Sequence, residues 1–140
     1  MDNAVNDLIR IGKVSSVDPT TGTARVVFED TDESVSFDLP ILFPQTMAAK
    51  HYGMPIIDEN VICLFLGNGV QTGICLGSFY STVDKPPVTD KNKQGIWFEN
   101  GSYVEYDRSS GILTLKATGG VVIEGDVMVK GTIQSTGESV

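Results

Sequence analysis

From position 113 the chain alternates without interruption. Leu113, Leu115, Ala117, Gly119, Val121, Ile123, Gly125, Val127, Val129, Gly131 and Ile133 are all apolar or glycine, and most residues between them are polar. Period-two alternation marks a strand with one face toward a core, but the run far exceeds the ~5–6 residues of an ordinary strand. Glycine divides it: Gly119, Gly125, Gly131 and Gly137 recur every six residues. Inward aliphatics with a six-residue period are a β-helix signature. Glycine supplies the backbone freedom to turn a corner between short faces.

Size then constrains how this repeat can fold. A hexapeptide solenoid spends about 18 residues per coil, and repeat folds need about three stacked units before a core is covered. The clear repeats here make little more than one coil, so the missing neighbours must come from other copies of the chain. The expected arrangement is an intertwined trimeric β-helix. Leu113, Leu115, Val121, Ile123, Val127, Val129 and Ile133 form its trimer core, and Gly119, Gly125 and Gly131 stand at the prism corners. Short strands at 95–101, 102–107 and 111–115, with turn signals at Asn100-Gly101 and Arg108 to Gly111, lead into it. Trp97, Phe98, Tyr103 and Tyr106 are expected to fill a wider top of the prism.

The N-terminal two thirds reads differently. Residues 3–10 suggest a short helix with Val5, Leu8 and Ile9 on one side. Ile11 to Val17 and Thr23 to Glu29 read as a hairpin around the five-residue loop Asp18-Pro19-Thr20-Thr21-Gly22. Ser34 to Leu42 is a further strand, and Thr46 to Tyr52 a short helix capped at Thr46 and ended by Gly53. Val61 to Leu66, apolar on both faces, reads as a fully buried central strand, with a return from Gln71 to Tyr80. These elements without a βαβ unit fit a small closed antiparallel barrel, an OB-like one by strand count. The expected class is all-β: an N-terminal segment 1–10, a barrel over 11–83, a charged and proline-bearing linker over 84–94, a needle over 95–134 and a tip segment over 135–140.

Composition excludes several functions. Ten Lys and Arg stand against eighteen Asp and Glu, a net charge of −8, which argues against nucleic acid as a partner. No apolar run approaches the roughly 20 residues of a membrane helix. Met1-Asp2-Asn3-Ala4 is acidic and leads into no apolar stretch, so no signal peptide is expected. One His and two Cys leave little for catalysis; no catalytic residue, metal or cofactor is expected. His51 reads as a surface or packed residue. Cys63 and Cys75 face each other across the Gly67–Gly69 hairpin if Gly69 is its centre, and are expected to be free thiols. Glu29, Asp38 and the Asp30–Glu33 run read as a solvated loop, lacking the ligand spacing of a calcium loop.

The order and spacing of three pieces carry a family resemblance. They are Ile9 to Asp18, the block from Pro55-Ile56-Ile57-Asp58-Glu59-Asn60-Val61 to Gly77-Ser78-Phe79-Tyr80-Ser81, and Gly125 to Ile133. The middle block matches a "G/D-E-x-V" strand, a hairpin and a closing "G-x-x-Y-S". The chain resembles baseplate assembly protein V, the central spike of contractile-tailed phages and R-type bacteriocins, and is more distantly similar to type VI secretion spikes. The resemblance implies a homotrimer whose OB-fold collar sits on a tail hub protein, with a needle that pierces the target cell envelope when the sheath contracts. It implies a structural protein, not an enzyme, located in a virion or bacteriocin particle assembled in the bacterial cytoplasm. Many relatives end in a His-x-His motif that binds iron; this sequence has none. A separate tip protein over Ile133 and Val140 is the favoured expectation over a blunt end. The competing readings are a receptor-binding trimeric fibre or adhesin, disfavoured because no aromatic follows Val129, a hexapeptide acyltransferase, which needs more coils and a catalytic His, and an OB-type binding protein.

Overall fold

The computed structural model describes residues 8–29, 34–67 and 72–137. It is all-β with antiparallel sheets, and the chain divides into two compact units, Met1–Pro86 and Pro87–Val140. No helix among the described residues is long and apolar enough to cross a membrane.

The first unit is organised by a long strand, β1 (Ile9–Asp18). Its N-terminal half pairs with β5 (Asn60–Phe65), and its C-terminal half with β2 (Thr23–Phe28). The two pairings overlap at Lys13, and a bulge between Val14 and Ser16 interrupts the pairing with β2; bulges bend a strand and increase its twist. Gly12 sits at the crossing. A Cβ there would lie 2.5 Å from the Val27 carbonyl oxygen and 2.6 Å from Val26 Cγ1, so only glycine permits this approach.

β3 (Ser34–Val35) and β4 (Leu39–Pro40) both pair with β2, and β6 (Gly73–Ser78) pairs with β5. The residues after β4 complete a ring. Ile41 donates its N–H to Gly22 O at 3.0 Å and forms a parallel bridge to Cys75, while Leu42 N–H reaches Cys75 O at 2.9 Å. Hydrogen bonds therefore run β1–β2–β4–β6–β5 and back to β1, so these strands have no free outer edge.

Inside the ring Val14, Ala24, Val26, Phe28, Leu39, Val61, Cys63, Phe65 and Cys75 form one buried cluster. Phe28 and Phe65 meet edge to face at 5.6 Å. Fully burying a side chain of this size contributes about 1.5–3 kcal/mol. Ser36 is the buried polar residue, and it is satisfied: its Oγ accepts the Val26 N–H and donates to Phe37 O.

Several expectations are corrected. The hairpin loop has four residues, since Asp18 already pairs with Thr23. Ser34 to Leu42 is two short strands, interrupted where Ser36 turns inward. Thr46 to Tyr52 is not helical: Ala48 has φ +64°, a conformation incompatible with a right-handed helix. At the N-terminus Leu8 is helical but Ile9 and Arg10 belong to β1; residues 3–7 of the expected helix lie outside the described residues, as do 30–33 of the acidic loop. β5 is central but not fully buried. Val61, Cys63 and Phe65 face the core, while Ile62 and Leu64 are half-buried on the outer side.

The Asp58-Glu59-Asn60-Val61 motif has a local cause. Asp58 takes φ +75°, and its N–H bonds Val14 O at 2.8 Å while Val14 N–H bonds Glu59 O at 3.0 Å. The Glu59 carboxylate accepts the Ile56 N–H at 3.2 Å and a hydrogen bond from the Ser78 hydroxyl. A glycine-or-aspartate position is what a left-handed residue calls for, and the glutamate ties the loop before β5 to β6.

The second unit holds β7 (Lys93–Trp97), β8 (Tyr103–Asp107) and β9 (Leu113–Lys116), an antiparallel meander. The last two residues of the expected linker thus belong to a strand. Among the described residues none of the buried core lies in this unit.

Two stability predictions follow the packing. Phe65→Ala should cost about 3–5 kcal/mol, as for large cavities elsewhere, read as a lower urea midpoint for the first unit. Asp58→Gly should stay within about 1 kcal/mol of the parent, because relieved strain offsets glycine's entropy, whereas Asp58→Val should lose about 1–2 kcal/mol. The same denaturation curves check both.

Candidate assembly surface in the C-terminal unit

One face of the β7–β8–β9 sheet is apolar. Register places Val104 between Ile96 and Leu115, and Tyr106 beside Leu113. Gln94, Gly95, Ile96, Val104, Tyr106 and Leu113 line a shallow groove there. The other face carries Trp97 opposite Tyr103, with the Lys116 ammonium 5.9 Å from the Tyr103 ring centre. The aromatics expected in one cluster are therefore split: Trp97 and Tyr103 lie on one face and Tyr106 on the other.

The polar face holds a charge network. Lys93 Nζ lies 2.6 Å from Glu105 Oε1 and 3.4 Å from Asp107 Oδ2. Asp107 Oδ1 also accepts the Ser109 hydroxyl at 2.6 Å and its N–H at 2.9 Å. The Ser109 hydroxyl and N–H, with Lys93, hold the Asp107 carboxyl down at about 2 against an ordinary 3.8, and Glu105 raises the Lys93 ammonium. Sequence reasoning passed over this triad. Its signal was the placement of Lys93, Glu105 and Asp107 on one strand parity in a polar stretch, which only the register makes visible.

Beyond β9 the chain leaves the sheet. Asn100 Nδ2 donates to Thr118 Oγ1 at 3.0 Å, Thr118 N–H to Ser102 Oγ at 3.1 Å, and Gly120 N–H to Ala117 O at 3.1 Å. From Val121 to Gly137 the described chain belongs to no strand or helix, bends at Gly125, Lys130, Gly131 and Gly137, and makes no hydrogen bond within itself. Its side chains are equally unpartnered. Val121, Ile123, Val127, Val129 and Ile133 are 51–75% exposed, as are Leu113 and Leu115 of β9 within the same range. Val122 and Met128, of the opposite parity, are more exposed still at 88% and 83%.

Glycine conformation follows the repeat in its later units. Gly125 and Gly131 have φ +130° and +149°; in the first unit Gly120 takes φ +98°, one residue after the expected corner Gly119. No atom of the chain lies within 4 Å of a Cβ built on Gly119, Gly125 or Gly131. Within one chain these turns pack against nothing.

The remaining candidate residues do not assemble into a reactive site. His51 is exposed and bonds Gln45 through its backbone and ring. Cys63 and Cys75 are direct register partners, buried and free. Hydrogen bonding with Cys75 and burial push the Cys63 thiol up, so it holds its proton at neutral pH. Asp38 is paired with Arg25 at 2.9 Å and Glu29 lies 4.0 Å from Lys13. Among the described residues no three His, Cys, Asp or Glu side chains gather to hold a metal.

Against this geometry stand the comparisons with known proteins. The chain is similar to a spike protein of Escherichia phage P2, 25% identical over 126 residues, which is 89% of this chain. The chain spans 58% of that relative's own length. No family model matches. The chain is thus an all-β protein with a phage spike-like relative.

The charge network yields a pH prediction. A depressed Asp107 pKa contributes stability that is present above the unfolded value and is lost as pH falls from about 4 toward about 2. Asp107→Asn should flatten that acid limb, and a titration followed by Trp97 fluorescence checks it.

Proposed function

We propose that this chain is the central spike of a contractile injection device, a phage tail or R-type bacteriocin baseplate. Three copies wind their C-terminal segments into a β-helical needle. The observation that carries this reading is the Val121–Gly137 segment, outside any strand or helix, apolar on alternate positions and without hydrogen-bond partners in its own chain. Buried backbone groups are almost always paired, and aliphatic surface of this extent is costly in water. Neighbouring copies of the same segment supply both needs at once, with Leu113, Leu115, Val121, Ile123, Val127, Val129 and Ile133 turned to the common axis. Similarity to the P2 spike protein over most of the chain supports the same assignment.

In this reading the first unit is an OB-like barrel that seats the needle on the tail hub. Its support is the ring closed through Ile41 and Cys75, a five-strand order with one parallel contact, as a small Greek-key barrel requires. The work is mechanical rather than enzymatic. Sheath contraction drives the trimer through the target envelope, and a separate tip protein covers the apolar end near Ile133. An intertwined needle resists load because no copy can leave without breaking the pairing of the others, so its lifetime is set by an unfolding barrier. The site of action is the tail tip of a virion or bacteriocin particle.

Sedimentation of the full chain tests the reading, with three copies per particle as the expected result and a stable folded monomer as the contrary one. Val127→Asp provides the matched variant. It sets three carboxylates together in a dry interior, at a cost of several kcal/mol per buried charge, and is expected to yield monomers that keep a folded first unit.

A further inference from the structure

The first unit also leaves apolar surface uncovered. On the outer side of β1, β5 and β6, register sets Ile9 beside Leu64 and Ile11 beside Ile62, with Leu64 beside Ile74. Ile9 and Ile11 are both 56% exposed. A solvent-facing antiparallel sheet normally carries polar residues at these positions. This face also explains why β5 is apolar on both sides: one side is core, and the other is left half-exposed by the described residues.

A second surface lies in the loop between β4 and β5. Leu39 to Ile57 contains no Asp or Glu, in a chain with eighteen. Met47, Tyr52, Ile56 and Ile57 are exposed. The loop is nevertheless built. Phe43 stacks on Tyr52 at 6.5 Å, His51 N–H bonds Gln45 O at 3.0 Å, and the Glu59 carboxylate holds Ile56. An ordered loop has little conformational freedom left to lose on docking.

We propose that the outer face of β1, β5 and β6 in one copy receives the Leu42–Ile57 loop of the next copy. The inference rests on the three-copy reading above. Symmetry supplies the pairing: a threefold ring is built from two unlike patches per copy, whereas a patch that meets its own twin closes a dimer. Charge supplies the choice of surfaces. Copies with net charge −8 repel one another, and association is least opposed where carboxylates are absent. The loop has none, and on the receiving face the six apolar residues Ile9, Ile11, Ile62, Leu64, Ile74 and Leu76 add none, while Glu29 at its Ile11 end lies 4.0 Å from Lys13. Lys50 and His51 are the only ionisable cations in the loop, positioned to meet the acidic remainder of the neighbouring copy.

The test replaces Ile11 by photoreactive benzoylphenylalanine in the full chain, co-expressed with isotopically labelled parent chain. Mixed-isotope cross-linked peptides joining position 11 to residues 42–57 are expected. A second variant, Met47→Glu, is exposed enough to leave folding intact and should bring loss of that cross-link. Cross-links from position 11 to residues 9–13 or 60–66 of another copy overturn the proposal, because the face then meets its twin. A sedimenting trimer with no inter-copy cross-link overturns it too, since the face is then open or reserved for a different partner. A folded monomer in the same sedimentation run instead brings down the three-copy reading on which the proposal stands.

Discussion

A polypeptide backbone must place its N–H and C=O groups against partners or against water, and a strand lined with aliphatics cannot be left to water. The Val121–Gly137 segment has no hydrogen-bond partner within its own chain and leaves its aliphatics to water. Everything distinctive about the second unit follows from that. Its sheet has one apolar face and no buried core, its corner glycines pack against nothing, and its alternating aliphatics remain exposed. The first unit is the opposite case. Ile41 and Leu42 close its ring, and the cluster around Phe28 and Phe65 is sealed on all sides.

The two units therefore stand differently with respect to concentration. The closed ring can reach its native contacts from a single chain. Under the three-copy reading proposed above, the C-terminal segment gains its contacts as copies meet, and its stability then depends on the amount of protein present.

Much of this was legible in the residues themselves. Strong local signals located the strands: Pro19 and Gly22 marked the first hairpin, Gly101 and Gly111 the turns of the meander, and the opposition of Cys63 and Cys75 fell out of counting along a hairpin. The failures share a cause. Thr46 to Tyr52 has a capping residue, helix formers and a terminal glycine, but Pro44, Pro55 and the Phe43–Tyr52 stack impose a loop in which Ala48 is left-handed. Ser34 to Leu42 alternates like a strand, but burying the Ser36 hydroxyl against Val26 and Phe37 breaks it in two. Tertiary contacts decided both. The assembly surface was readable as a pattern of odd positions. The Lys93–Glu105–Asp107 network was not, because it exists only once β7 and β8 are in register.

The hydrogen bonds that anchor Thr118 to Asn100 and Ser102 bear on a problem peculiar to repeats. The units beginning at Gly119, Gly125 and Gly131 are so alike that chains slipped past one another by one unit would still match aliphatic to aliphatic. Nothing inside the repeat penalises that error strongly. The three-stranded sheet does not repeat, and Thr118 fixes the first unit to it at a single setting. If three copies wind together as proposed, they start from a common mark, and the folded meander is the alignment gauge for a segment that has none of its own.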